Sequence, residues 1–198
     1  MPRQKIYDED LRNRLITRGA EVLADSGARG LGLRQVAAAE GTSTTAIYSM
    51  FEDRAGLIRE VGRTASLGFV AAQRAVPLTD DPYADLFRLG RSYRDWALAH
   101  PTLYLVLMNP QHNAMRLKGP LPEAEAADPL RETIVRLIDA KIFMALDPNV
   151  MLGIIWADVH GFVSLELAGY YEPTSRSQRD LMYGAQLDSI GRGWRTVA

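Results

Sequence analysis

Residues 33–40, LRQVAAAE, are close to pure helix former, and the run is cut at Gly41 and restarted at once by the hydroxyls of Thr42, Ser43 and Thr44. Few features restrict a fold more. Glycine takes the left-handed backbone state that ends a helix, a state closed to bulkier residues. A Ser or Thr side chain then accepts from the amides left open where the next helix starts. The segment GTSTTAIYSMF, residues 41–51, therefore predicts a tight turn followed by a short second helix.

A further helix is expected ahead of this pair, over residues 8–24, with Leu11, Leu15, Val22 and Leu23 on one broad face. Asp8, Glu9 and Asp10 suit its positive N-terminal end, and SGARGLG at 26–32 breaks it. Three short helices can close around Leu15, Val22, Leu23, Leu33, Val36, Ile47 and Phe51. This helix-turn-helix unit is of the kind that sets one helix end into a DNA major groove. Arg34, Thr44, Thr45, Ser49 and Met50 are poor obligatory core residues and, with the hydroxyls of Thr42 and Ser43, are the candidates to approach phosphates or base edges. Tyr48 joins Ile47 and Phe51 on the packing surface of the third helix, with its ring packed and its hydroxyl directed to the DNA backbone. Arg54, just beyond Phe51, is placed to clamp a phosphate, and Arg3 and Lys5 to form a basic arm. The same residues also read as ordinary polar surface, and the spacing alone does not separate the two.

Composition limits the alternatives. Of 198 residues, 47% are hydrophobic and 24% charged, an ordinary globular balance that argues against wholesale disorder. The net charge of -1 does not itself point to nucleic acid, but groove binding depends on where positive groups sit. With no cysteine there is neither a disulfide nor a thiolate metal site. The first eleven residues lack the apolar run of a secretory signal. The later apolar stretches are read as interrupted before spanning length, so a cytoplasmic protein without membrane contact is expected.

The segment 11–61 resembles the N-terminal domain of the TetR family of bacterial transcriptional regulators. The resemblance rests on GAEVLADSG at 19–27, LRQVAAAEG at 33–41, the turn and helix ending in IYSMF, and FEDRAGLI at 51–58. Tyr48 corresponds to the family's recognition-helix tyrosine, and Arg54 to a position usually held by lysine. Four residues depart from the pattern: Gly32 stands where a hydroxyl residue commonly caps the second helix, Thr44 and Thr45 where a lysine, arginine or glycine often stands, and Met50 where histidine is frequent. These put the operator sequence, not the fold, in question. The C-terminal stretch WADVHGFVSLELAG, with Trp156, His160 and Gly161, is similar to the Trp-His-Gly signature of one TetR C-terminal subgroup.

Helical patterns continue over 54–75, from Tyr83 to Ala97, over the short apolar run after His100, and at 130–146, 149–169 and 175–194. The whole reads as an all-α chain of about nine helices. Residues 1–53 are expected to form the three-helix DNA-binding domain and, as the resemblance implies, 54–198 a helical effector-binding and dimerisation domain. Residues 109–129, with four prolines, read as a mobile cover, a partly helical connector or a disordered segment. The helix at 149–169 is apolar around most of its circumference, which predicts a second chain against it. With the last helix it is expected to form a four-helix homodimer interface, with Gly161 and Gly184 allowing close approach. Tyr93, Trp96, Tyr104, Met108, Phe143, Met144, Met151, Trp156 and His160 are candidates to line an apolar cavity, although such residues at helical spacing usually pack a core.

The resemblance implies a homodimer on double-stranded, roughly palindromic operator DNA, acting as a repressor released by a small hydrophobic effector. A ligand-binding or protein-interaction module that no longer reads DNA is the alternative. An enzyme is not expected. Glu166 lies off the helical face of His160, no nucleophile accompanies them, and His100, His112 and His160 are too scattered for a metal site. No cofactor motif is present.

Overall fold

The computed structural model describes residues 9–108 and 126–196. The expected arm at Arg3 and Lys5, and residues 109–125 of the expected cover or connector, lie outside the described residues. Nine helices appear among the described residues: α1 Glu9–Gly30, α2 Leu33–Ala39, α3 Thr44–Phe51, α4 Arg54–Arg74, α5 Pro82–Ala99, α6 Pro101–Met108, α7 Asp128–Asp139, α8 Pro148–Leu167 and α9 Arg176–Gly193. There is no sheet among them, only an isolated antiparallel bridge between Phe143 and Arg195. Contacts divide the chain into two compact units, Met1–Gly68 with His100–Leu121, and Phe69–Ala99 with Pro122–Ala198.

In the first unit, Leu15, Ile16, Ala20 and Leu23 of α1 meet Val36 and Ala37 of α2, Ile47 and Phe51 of α3, and Leu57, Ile58 and Val61 of α4. Val22 and Leu33 sit at the edge of this core. The break predicted after α1 is a kink at Gly27, whose φ of 67° lies in the left-handed region. Gly41 likewise has φ 63°, and Ser43 caps α3 by accepting from the Ala46 amide at 3.3 Å. As the sequence implies, Gly32 starts α2 without a side-chain cap. Helix α6 also packs on α1 and adds Val106 to this core. Because α6 is apolar nearly all round, its own pattern gave no face from which to assign it.

In the second unit α5 is the central helix, touching α7, α8 and α9. Asp81 starts it by accepting from the amides of Tyr83 and Ala84, both at 3.0 Å, with Pro82 in the first turn. The helix expected over 130–146 stops earlier, at Asp139. Lys141 turns into the left-handed region at φ 58°, and the backbone then pairs with the chain end: Met144 N–H with the Trp194 carbonyl at 2.9 Å, and Thr196 N–H with that of Ile142 at 3.1 Å. The expectation that no apolar stretch reaches spanning length is also corrected. Helix α8 is long and apolar enough to cross a membrane, with a mean hydropathy of 1.5. Of its two charged residues, Asp158 is exposed and Glu166 is ion-paired inside this unit, placements at odds with a lipid-facing helix.

A fully buried carboxylate organises the entry to α5. Asp85 accepts from the Thr79 amide at 2.9 Å, the Thr79 hydroxyl at 2.9 Å and Arg136 Nη1 at 2.8 Å, and it also pairs with Arg88. Burial alone would raise its pKa, but these donors together outweigh burial and hold it at about 2. A depressed carboxylate stabilises the fold above the unfolded-state pKa and loses that contribution as pH falls through the folded one. Asp85→Asn is therefore expected to lack about 2 kcal/mol of acid-induced destabilisation that the parent suffers between about pH 4 and pH 2. Urea denaturation of both proteins across that range measures it, and parallel acid profiles would refute it.

Candidate functional site

The turn between α2 and α3 sets one end of α3 outward. Arg34, Ser43, Thr45, Tyr48 and Ser49 are exposed, Tyr48 by 52%. Among the described residues the Tyr48 hydroxyl has no hydrogen-bond partner, so it is free to meet one from outside. The Ser49 hydroxyl donates back to the Ala46 carbonyl at 2.9 Å, leaving oxygen lone pairs but no proton for a base. Thr42 and Thr44 are half-buried, and Met50 packs against the first core. Arg54 is tied down from inside: its Nε donates to the Leu31 carbonyl at 2.8 Å, which holds the α1–α2 turn to the start of α4. Its Nη2 is buried and unpaired among the described residues. The exposed, unpartnered groups thus converge on α3 and the N-terminus of α2.

The second unit holds a narrow apolar cavity of about 40 Å³ between the end of α4 and helices α5, α7, α8 and α9. Of the residues proposed from sequence for ligand contact, Tyr93 and Trp156 line it. His160 stands one layer behind: its Nδ1 shares a hydrogen bond with the Tyr93 hydroxyl at 3.1 Å, its Nε2 lies 3.3 Å from the Ser164 hydroxyl, and Trp156 stacks on its ring at 5.0 Å. Burial lowers its pKa and favours the neutral ring. Trp96 packs on Phe69, which in turn meets Tyr93 edge-on, each pair at 5.2 Å.

The remaining residues are not gathered there. Tyr104 and Met108 lie on α6 in the first unit. Phe143 is buried against the edge of Tyr83 at 6.3 Å, Met151 is fully buried on α8, and Met144 is exposed. Conversely, Gln73, Leu130, Ile155 and Leu187 line the cavity and were missed by a reading that gathered aromatics, and Phe87, an aromatic that lines it too, was not among those gathered. Gln73 follows Phe69 by one helical turn, on the same face of α4, a spacing that gives its side but not its role. Gly90 contributes by its missing side chain, since a Cβ there would come within 2.6 Å of Leu187.

Glu166 does not face His160. It is engaged by Arg94 through a two-pronged pair at 2.6 and 2.7 Å and by Arg179 at 3.3 Å. No group of three or more His, Asp or Glu positioned to hold a metal occurs among the described residues.

Residues 86–190, more than half the chain, match the family model described as tetracyclin repressor-like, C-terminal domain. No curated protein matches the sequence. Among solved structures, the fold is similar to a Rhodococcus sp. RHA1 protein of unknown function, with TM-score 0.74, 22% identity, and coverage of 98% of this chain and 100% of that one. It is also similar to the TetR family regulator PfmR of Thermus thermophilus, with TM-score 0.74, 17% identity and coverage of 94% and 98%. A TetR family regulator from Marinobacter aquaeolei follows at TM-score 0.68, 18% identity and coverage of 91% and 95%. With its helix-turn-helix unit and a C-terminal half inside that model, the chain belongs to the TetR family of DNA-binding transcriptional regulators.

Proposed function

We propose that this regulator is a repressor that occupies a roughly palindromic operator as a homodimer and is released by a small apolar effector. In this reading residues 1–53 read DNA in the cytoplasm, and 54–198 bind the effector and dimerise through α8 and α9. The observation that carries it is the double duty of α8. Ile155 and Val159 line the cavity, while Val150, Ile154 and Leu165 on the same helix stand exposed. A cavity of about 40 Å³ is far smaller than a typical ligand pocket, so an effector must move a wall to enter. Displacing α8 would alter the seat of the partner subunit and hence the spacing of the two DNA-reading heads. A loss of about 1.4 kcal/mol in DNA-binding free energy weakens affinity tenfold, so a modest mismatch is enough.

Selection of random duplex DNA at fixed salt, then titration of the enriched sequence, tests the reading. A palindrome bound by two chains supports it; no enrichment by a folded dimer would favour a module that no longer reads DNA. Tyr48→Phe is expected to weaken binding to specific and unrelated duplexes alike by about tenfold, since its unpartnered hydroxyl is assigned to phosphate. Thr45→Ala should instead change sequence preference. A Tyr48→Phe protein that binds every duplex as before removes Tyr48 from the interface.

A further inference from the structure

The cavity of the second unit is apolar except where Gln73, Tyr93 and Trp156 reach it. Trp156 is partly open to solvent, and the Tyr93 hydroxyl is engaged with His160. Gln73 differs from both, being a neutral amide only 5% exposed on the α4 wall. Its orientation follows from its neighbour. The Ser92 hydroxyl donates its single proton to the Ala72 carbonyl at 3.1 Å, so towards Gln73 it can only accept. The amide must therefore turn its NH2 to Ser92, at 3.3 Å, and its carbonyl oxygen away. That oxygen has no hydrogen-bond partner among the described residues. Unlike Arg54 Nη2 and Arg88 Nε, which are sealed and unpaired among the described residues, this oxygen is open to water, so it is an acceptor that a ligand can reach and must strip of water when it enters.

We infer that the effector carries a hydroxyl or N–H donor at one end of an apolar body, and that Gln73 is the residue that selects it. The inference rests on the proposed effector cavity and adds the polarity of its ligand. A site arranged to pair with a donor discriminates strongly against an analogue that lacks one, because such an analogue displaces water from the acceptor and leaves it unpaired. Apolar contacts with Phe87, Leu89, Ile155 and Leu187 would supply affinity without this discrimination.

Paired probes test the assignment on the full-length protein: 1-naphthol against 1-methoxynaphthalene, and 1-octanol against 1-methoxyoctane, by isothermal titration at fixed salt. The hydroxyl member of a pair is expected to bind about tenfold more tightly than its ether. In Gln73→Leu, and in Gln73→Met, which keeps the side-chain length, the two members should bind alike while the ether keeps its parental affinity. Equal binding of alcohol and ether by the parent, or an undiminished preference in both folded variants, overturns the donor assignment and leaves the cavity standing. Failure of all four probes to bind the parent overturns the cavity and the assignment together.

Discussion

Glu166→Leu is expected to lower the unfolding free energy by about 3–5 kcal/mol, more than any other single removal of a charge in the second unit. Arg94 on α5 and Glu166 on α8 have side chains only 8% and 5% exposed. The guanidinium meets the carboxylate with two parallel bonds, a third goes to Asp180 of α9 at 2.8 Å, and its plane lies over the Tyr183 ring at 5.1 Å. The bond to Glu166 first, then Asp180, raises the Arg94 pKa above its ordinary value against the opposing pull of burial. Arginine therefore stays charged when Glu166 is removed, and a largely buried charge is left with only the half-exposed Asp180 to offset it. Replacing both residues, Arg94→Leu with Glu166→Leu, should recover most of the loss, because the apolar pair avoids the desolvation cost. Asp180→Asn is the control: Asp180 is 53% exposed, and its loss should cost about 1 kcal/mol or less. Chemical denaturation at one fixed protomer concentration compares them. If Glu166→Leu costs no more than Asp180→Asn, the fork does not hold the unit together.

Much of the first unit was legible because its signals are local. Gly41 and the hydroxyls after it mark the α2–α3 boundary through backbone sterics and capping. Leu15, Leu23, Val36, Ile47 and Phe51 fall on helical faces that must meet. What escaped the sequence depends on partners distant along the chain. Helix α7 ends at Asp139 although apolar residues continue, because residues 142–144 pair with 194–196. Helix α6 offers no distinct face, so nothing local directs Val106 to the α1 core. The aromatics proposed as cavity lining were chosen by residue type. The wall is mostly aliphatic, and its one buried amide, Gln73, acquires meaning only from Ser92, nineteen residues away on another helix. Arg54 reads from sequence as a phosphate clamp, and the hold of its Nε on the Leu31 carbonyl, twenty-three residues back, is not visible there.

A charge pair placed on the outer face of the last two helices, Gly161→Glu with Leu181→Glu, is expected to give a folded monomer whose operator affinity falls by about 10²–10⁴-fold. The chain by itself tolerates both changes. A side chain at Gly161 meets nothing within 4 Å, and Leu181 is 73% exposed. Yet the surroundings are not those of a solvent face. Only 28% of the most apolar stretch of α8 is buried, and Met182 and Leu165 extend the exposed apolar surface. Gly153 and Gly184 add open positions where a second helix can come close. Such a surface is the kind that a second copy covers, and two carboxylates per subunit would have to be desolvated to cover it. Without the partner each head binds half an operator alone and loses the effective concentration that the second head supplied. Sedimentation gives the mass, and titration of the selected operator gives the affinity. A variant that keeps the dimer mass removes α8 and α9 from the interface. Leu105→Glu supplies the charge control, since Leu105 is an exposed leucine on α6 of the first unit. An equal loss of affinity there, with the dimer intact, would mean that added negative charge and not a missing partner weakens binding.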